Sequence, residues 1–123
     1  MKTFVVLSIL ALVALPVWGE QHDAEIEHLL EFIERADCRF DRNGTLYDGP
    51  EARAHIERKY AHLRDRIRNA EAFIRYAASE SSFSGRKYRV LCGGREFFAG
   101  AWLEAELIRY RKTRKAAEGE AER

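Results

Sequence analysis

His55 and Lys59 lie four residues apart, one turn on one face of a helix, and Ser79, Ser81, Ser82 and Ser84 follow in a short polar run. A serine beside a histidine base is the starting point of nucleophilic hydrolysis. That chemistry also needs an oxyanion hole and usually a strand-to-helix elbow, and no serine here sits in one. A structural role suits the run better. Serines after a helix cap its last carbonyls or form turns, Gly85 permits a positive φ, and Glu71 is expected to hold the loop through backbone amides. His22, His28, His55 and His62 show no ligand spacing beside a carboxylate, so neither a metal nor any other cofactor is expected.

The compartment follows from the start of the chain. Met1-Lys2 is a short basic opening, Phe4 to Leu15 is apolar, and Pro16-Val17-Trp18-Gly19 reads as a cleavage region. About a dozen apolar residues fall short of the roughly 20 that span a bilayer. Residues 1–19 therefore read as a secretory signal peptide, with the mature chain from Glu20 and no transmembrane anchor. The chain has 123 residues, 21 Lys and Arg against 20 Asp and Glu, and without Lys2 the charges balance. Such a balance gives no global positive field for nucleic acid. In an oxidising compartment Cys38 and Cys92 read as a disulfide, which would stabilise a small domain by roughly 4 kcal/mol. They are too far apart for a Cys-x-x-Cys exchange site.

The elements that must position these residues are legible in the periodicities. Ile26, Leu29, Leu30 and Ile33 recur at helical spacing between Asp23 and Ala36. Asn43-Gly44, between Arg39-Phe40-Asp41-Arg42 and Thr45-Leu46-Tyr47, predicts a two-residue type I′ hairpin with Phe40 opposite Tyr47 and Arg42 opposite Thr45. Cys38, Phe40 and Tyr47 then share the buried side. Asp48 and Glu51 form a capping box with Pro50 in the first turn, opening one long helix. Its stripe is Ile56, Tyr60, Leu63, Ile67, Ala70, Ile74 and Ala77, a seam for intrachain packing or for a homodimer through this helix. Tyr88 to Cys92 reads as a third strand ended by Gly93-Gly94, placed near the hairpin by the disulfide. A last helix runs from about Ala99 to Lys115, with Phe98, Trp102, Ala105 and Ile108 on one face and Leu103, Leu107 and Tyr110 beside them. Residues 20–115 form one domain and 116–123 a mobile charged tail. The expected class is α+β, three helices on a small antiparallel sheet in the order α-β-β-α-β-α.

Several strings resemble the YfeK-like family: Phe40-Asp41-Arg42-Asn43-Gly44, Ala52 with His55 and Lys59, Ala70-Glu71-Ala72-Phe73-Ile74, Ala78 through Gly85 with Tyr88, and Trp102-Leu103. They cover nearly the whole mature chain in order. The family comprises small exported proteins of Gram-negative bacteria with a domain of unknown function. The resemblance implies a periplasmic α+β domain and supplies no activity. The cysteines are not part of the shared pattern, so their pairing rests on the compartment.

Ser84-Gly85-Arg86-Lys87-Tyr88 is a Ser-Gly-x-x-Tyr string similar to the inhibitory loop of some periplasmic lysozyme inhibitors. Those are all-β barrels, so the likeness would be convergent. Arg42, Arg53, Arg58, Lys59, Arg64, Arg66 and Arg68 crowd the hairpin tip and long helix, yet the interleaved Glu51, Glu57, Asp65 and Glu71 favour a solvated, salt-bridged surface. The reading that results is a periplasmic, noncatalytic binding or interaction module for an unidentified envelope protein or ligand. Its candidate binding residues are Arg42, Asn43, His55, Lys59, Glu71, Ser81, Ser82, Ser84, Arg86 and Tyr88. The alternatives are a small cell-envelope hydrolase using His55 and a loop serine, and an inhibitor of a cell-wall hydrolase acting through Ser84 to Tyr88.

Overall fold

The computed structural model describes residue 3 and residues 18–123, so most of the expected signal peptide lies outside the described residues. The elements are α1 (Trp18–Arg35), β1 (Arg39–Arg42), β2 (Thr45–Tyr47), α2 (Gly49–His62), α3 (Ala70–Phe73), β3 (Arg89–Cys92), β4 (Arg95–Phe98) and α4 (Ala99–Ala121). The α+β class holds, with four helices and four strands among the described residues rather than three of each.

The Asn-Gly turn forms as its residues dictate. Asn43 and Gly44 take φ of 53° and 85°, and the register pairs Phe40 with Tyr47 and Arg42 with Thr45. Gly93 and Gly94 repeat this conformation at φ 55° and 79°, turning β3 into β4 instead of ending the sheet. The sheet is antiparallel throughout, in the order β2-β1-β3-β4. Cys38 and Cys92 are bonded with Cα atoms 4.6 Å apart, next along the ladder from the Arg39–Leu91 pair.

Alternation divides the sheet into two faces. Phe40 and Val90 point into the core, and the Phe40 and Phe32 rings meet Trp102 of α4 at 5.7 and 4.4 Å. The opposite face carries Arg39, Leu46, Arg89, Leu91, Glu96 and Phe98, all exposed to solvent. Ile26, Leu29, Leu30 and Ile33 of α1 are buried in the core with Leu103 and Leu107 of α4. The buried row of α4 thus runs through Ala99, Leu103 and Leu107. Of the other expected row only Trp102 meets the core, since Ile108 is 55% exposed, Phe98 50% and Ala105 also faces outward. The helix also continues through Ala121, six residues beyond its expected end at Lys115.

The single long helix is not there. Asp48 caps α2 as expected, its Oδ1 accepting from the Glu51 amide at 2.9 Å while its own amide donates to Glu51. α2 then ends at His62, a 3₁₀ turn covers Arg64–Arg66, Ile67 is extended, and α3 starts afresh. Asn69 is the reason: its side chain accepts from the Ala72 amide at 2.7 Å, an N-cap that competes with helix continuation. α3 passes into a π-helical stretch at Ile74–Ala78. The break folds the apolar seam inward, since Ile56, Ile67, Ala70, Ile74 and Ala77 are all buried in the chain's own core. The continuous seam on which a long-helix dimer would depend is therefore absent.

Candidate functional site

The polar loop after Ala78 is a small closed pin. The Ser81 amide donates to Arg86 O at 2.9 Å, Gly85 N to Ser81 O at 2.8 Å and Tyr88 N to Ser79 O at 2.9 Å, with Glu80 bridged to Lys87. Gly85 takes φ 72°, which the closure requires. Serines brace it from within. Ser79 Oγ donates to Ile74 O at 2.6 Å, closing the π-helical end, and the buried Ser81 Oγ accepts from the Phe83 and Ser84 amides at 3.3 Å each.

Two outside residues anchor the pin. Asn43, held at positive φ on the hairpin tip, donates from Nδ2 to Ser81 Oγ at 3.2 Å and accepts from Ser84 Oγ at 2.6 Å. Lys59 of α2 donates to the Glu80 carbonyl at 2.6 Å and to the Tyr88 hydroxyl at 3.2 Å. The fold thus unites a hairpin turn, a helix face and the serine pin, each readable in the sequence but 16 or more residues apart along it. At the tip, beside the exposed Ser82, Phe83 is 99% exposed. An apolar ring wholly in water on a braced loop was not anticipated; the signal was its place amid Ser81, Ser82, Ser84 and Gly85.

Arg42 and His55 are half-buried beside the pin's base, lining with Phe40, Ile56, Trp102 and Leu103 an apolar slot of about 30 Å³, room for little more than one water. Arg58, one turn from His55, approaches its Nδ1 to 3.1 Å. Burial first, then the positive charges of Arg42, Arg58 and Lys59, hold the His55 imidazole below its ordinary range. No hydrogen bond joins His55 to a serine among the described residues. On the open sheet face, Arg86, Lys87, Arg89 and Phe98 line a shallower groove with Asp41 and Asn43, about 280 Å³ in volume. Lys87 and Arg89 both lie over the Phe98 ring, at 5.0 and 5.5 Å.

Glu71 belongs elsewhere. It pairs with Arg111 of α4, which also grips the buried Glu25 through two bonds of 2.6 and 3.0 Å, and Arg111 holds the Glu71 carboxyl below the usual range. It makes no bond to the pin's amides among the described residues, contrary to the expected loop-holding role. Glu106, also buried, binds His28 at 2.7 Å and Arg109 at 2.6 and 2.7 Å. Arg53 ties α2 to α1 through Glu27 and Glu34. Among the described residues no ion pair reaches Arg42, Arg58, Lys59, Arg86 or Lys87. Glu25, Glu27 and Glu34 of α1 and Glu106 of α4 thus hold Arg53, Arg109 and Arg111, while the five cations around the pin have no acidic partner among the described residues. No group of three or more His, Cys, Asp or Glu side chains converges as a metal site among the described residues.

Comparison with known proteins agrees with the motifs. The model of a family of unknown function, DUF5329, matches residues 20–111. The uncharacterized protein YfeK of Salmonella typhimurium is 35% identical over 92 residues, covering 72% of this chain and 77% of that protein. No solved structure matches. The match spans α1 to α4 and includes every residue of the braced pin, and the chain belongs to the DUF5329 family of YfeK-like proteins, a family of unknown function.

Proposed function

We propose that this protein is a noncatalytic binding module of the periplasm that engages its partner through the serine pin and the hairpin tip. The observation that carries the reading is Phe83, fully solvent-exposed on a loop whose base is tied to Asn43 and Lys59. Exposing an apolar ring forgoes burial that would stabilise the fold. Bracing the loop cuts the entropy lost when a partner orders it, the arrangement expected of a binding anchor. Arg86 and Lys87 beside it add cations without acidic partners, which speed encounter with an anionic surface. Export is supported by the Cys38–Cys92 bond and by the family match starting at residue 20, where the mature chain is expected to begin.

The hydrolase reading is less well supported. Its base and nucleophile are not hydrogen-bonded to one another, and Ser81 Oγ already accepts from the Asn43 side chain and two backbone amides. An inhibitor using the Ser84 to Tyr88 string would present Ser84 and Tyr88, yet Ser84 is bonded to Asn43 and Tyr88 is buried. A photoreactive residue placed at Phe83, Arg86 or, as control, Glu104 on the exposed side of α4 tests the reading in intact cells. One recurrent adduct from 83 and 86 that is missing from 104 is expected. Equal capture from all three, or none from 83 and 86 despite normal export, overturns it.

A further inference from the structure

We propose that Arg42, His55, Arg58 and Lys59 form a binding site for an oxyanion, the carboxylate or phosphate group of a ligand. The inference rests on the binding reading above and names the ligand chemistry of the surface beside the pin. Three observations carry it. First, the fold gathers four cationic or protonatable side chains without a counter-ion: His55, Arg58 and Lys59 share one face of α2, and the β1–β2 hairpin brings Arg42 against His55. Acids on the elements around the site are not paired with these cations among the described residues. Asp41 accepts from Gly44 at 2.8 Å and Glu51 from Asp48, while Glu80 offers Lys59 only its carbonyl.

Second, Arg42 Nε is buried and has no hydrogen-bond partner among the described protein groups, and the slot that Arg42 lines with His55 has room for a single ligand oxygen, the rest of the anion staying outside it toward Arg58. Buried guanidinium donors are normally satisfied, and an oxyanion is the acceptor best matched to the arginine fork. Third, arginine can only donate, so His55 Nδ1 accepts from Arg58 and the neutral ring carries its proton on Nε2. Arg42, His55 and Arg58 then present donors alone. A metal ion would need lone pairs that these donors do not offer, whereas the oxygens of a carboxylate or phosphate need the donors that are there. The cations that depress His55 make the test direct, because a bound anion opposes them.

The experiment follows the His55 imidazole and the Arg42 Nε–H by NMR in isotope-labelled protein with its disulfide intact. Sodium phosphate and sodium acetate are added in separate titrations, at ionic strength held constant with sodium chloride. A saturable rise of the His55 pKa is expected, with a shift of the Arg42 signal. If the rise is one unit, linkage requires binding about tenfold tighter below the His55 transition than above it. Response to phosphate alone assigns a phosphate ligand, to acetate alone a carboxylate, and to both the shared chemistry. Arg58 is exposed, so Arg58→Gln keeps the fold and should weaken the response severalfold, while Lys112→Gln on α4 should not. No saturable shift with either anion, or equal responses in both variants, overturns the site. Partner capture from Phe83 and Arg86 would survive that failure, so the two conclusions fall separately.

Discussion

Replacing Cys38 and Cys92 by alanine should destabilise the protein by about 4 kcal/mol, the chain-entropy value for releasing a loop of this length. The bond spans 54 residues of sequence, and its two Cα atoms stand 4.6 Å apart. They stand one position beyond the Arg39–Leu91 pair of the β1–β3 ladder, at the spacing that a non-hydrogen-bonded antiparallel pair adopts with no disulfide. The crosslink therefore does not pull the native strands together, and its effect falls on the unfolded chain. Against the 5–15 kcal/mol typical of a domain, that is a large share. Urea unfolding followed by far-UV circular dichroism reads it. With a slope of about 1–3 kcal/mol per molar, the midpoint should fall by roughly 1.3–4 M, and the slope itself should rise as the freed chain exposes more surface. A midpoint shift below about 0.5 M with an unchanged slope would refute the reasoning, because it would mean that the unfolded chain keeps β1 and β3 together unaided.

Asn43→Ala loses two side-chain hydrogen bonds and forces a non-glycine residue without a polar side chain to positive φ, a cost of about 2–4 kcal/mol. Hydrogen exchange of the Phe83 to Arg86 amides should speed up more than that of β3, and exchange rising equally everywhere would show that the pin is not separately anchored. Gly49→Ala places a Cβ 2.5 and 2.6 Å from the Glu34 and Ile33 carbonyl oxygens, backbone that cannot step aside, so α2 must move off α1. A loss of about 1–3 kcal/mol is expected in thermal unfolding, and a neutral result would contradict the close approach. Glu106 is held below the usual carboxylate range, first by Arg109 and then by His28, so its stabilisation is complete above about pH 4.3 and is lost as pH falls through its folded value. Glu106→Gln should flatten that acid limb; parallel slopes for the two proteins would show that the ion pairs do not contribute to it.

Local chemistry was largely legible. The Asn43-Gly44 register, the Asp48 capping box and the α1 stripe each depend on residues within a turn or two of one another, and each formed as its side chains dictate. Two local signals were overridden by longer patterns. Asn69 lies inside an apolar repeat that reads as unbroken helix, and Gly93-Gly94 reads as the end of the third strand, with Phe98 assigned to the face of the last helix, where the structure makes a turn into a fourth strand. Of the candidate site residues, Arg42, Asn43, His55, Lys59, Ser81, Ser84 and Tyr88 meet around the base of the pin, Ser82 lies exposed at its tip and Arg86 on its flank, and Glu71 stands apart on Arg111.

The sequence by itself determined the class of the fold, the turn types, the helix start at Asp48 and the pairing of the two cysteines, because glycine conformations and caps constrain the chain locally and two cysteines leave one intrachain pairing. Only the tertiary structure decided which charges are paired. Glu25 finds Arg111 across 86 residues and Glu106 finds His28 across 78, while Arg42, Arg58 and Lys59 are left together without an acid. Such partnerships depend on the distance between elements after packing, and no spacing along a chain with nearly equal numbers of acids and bases encodes it. The same packing buries Ile108's neighbours Leu103 and Leu107, leaves Ile108 in water, and sets Phe83 at the tip of a braced loop.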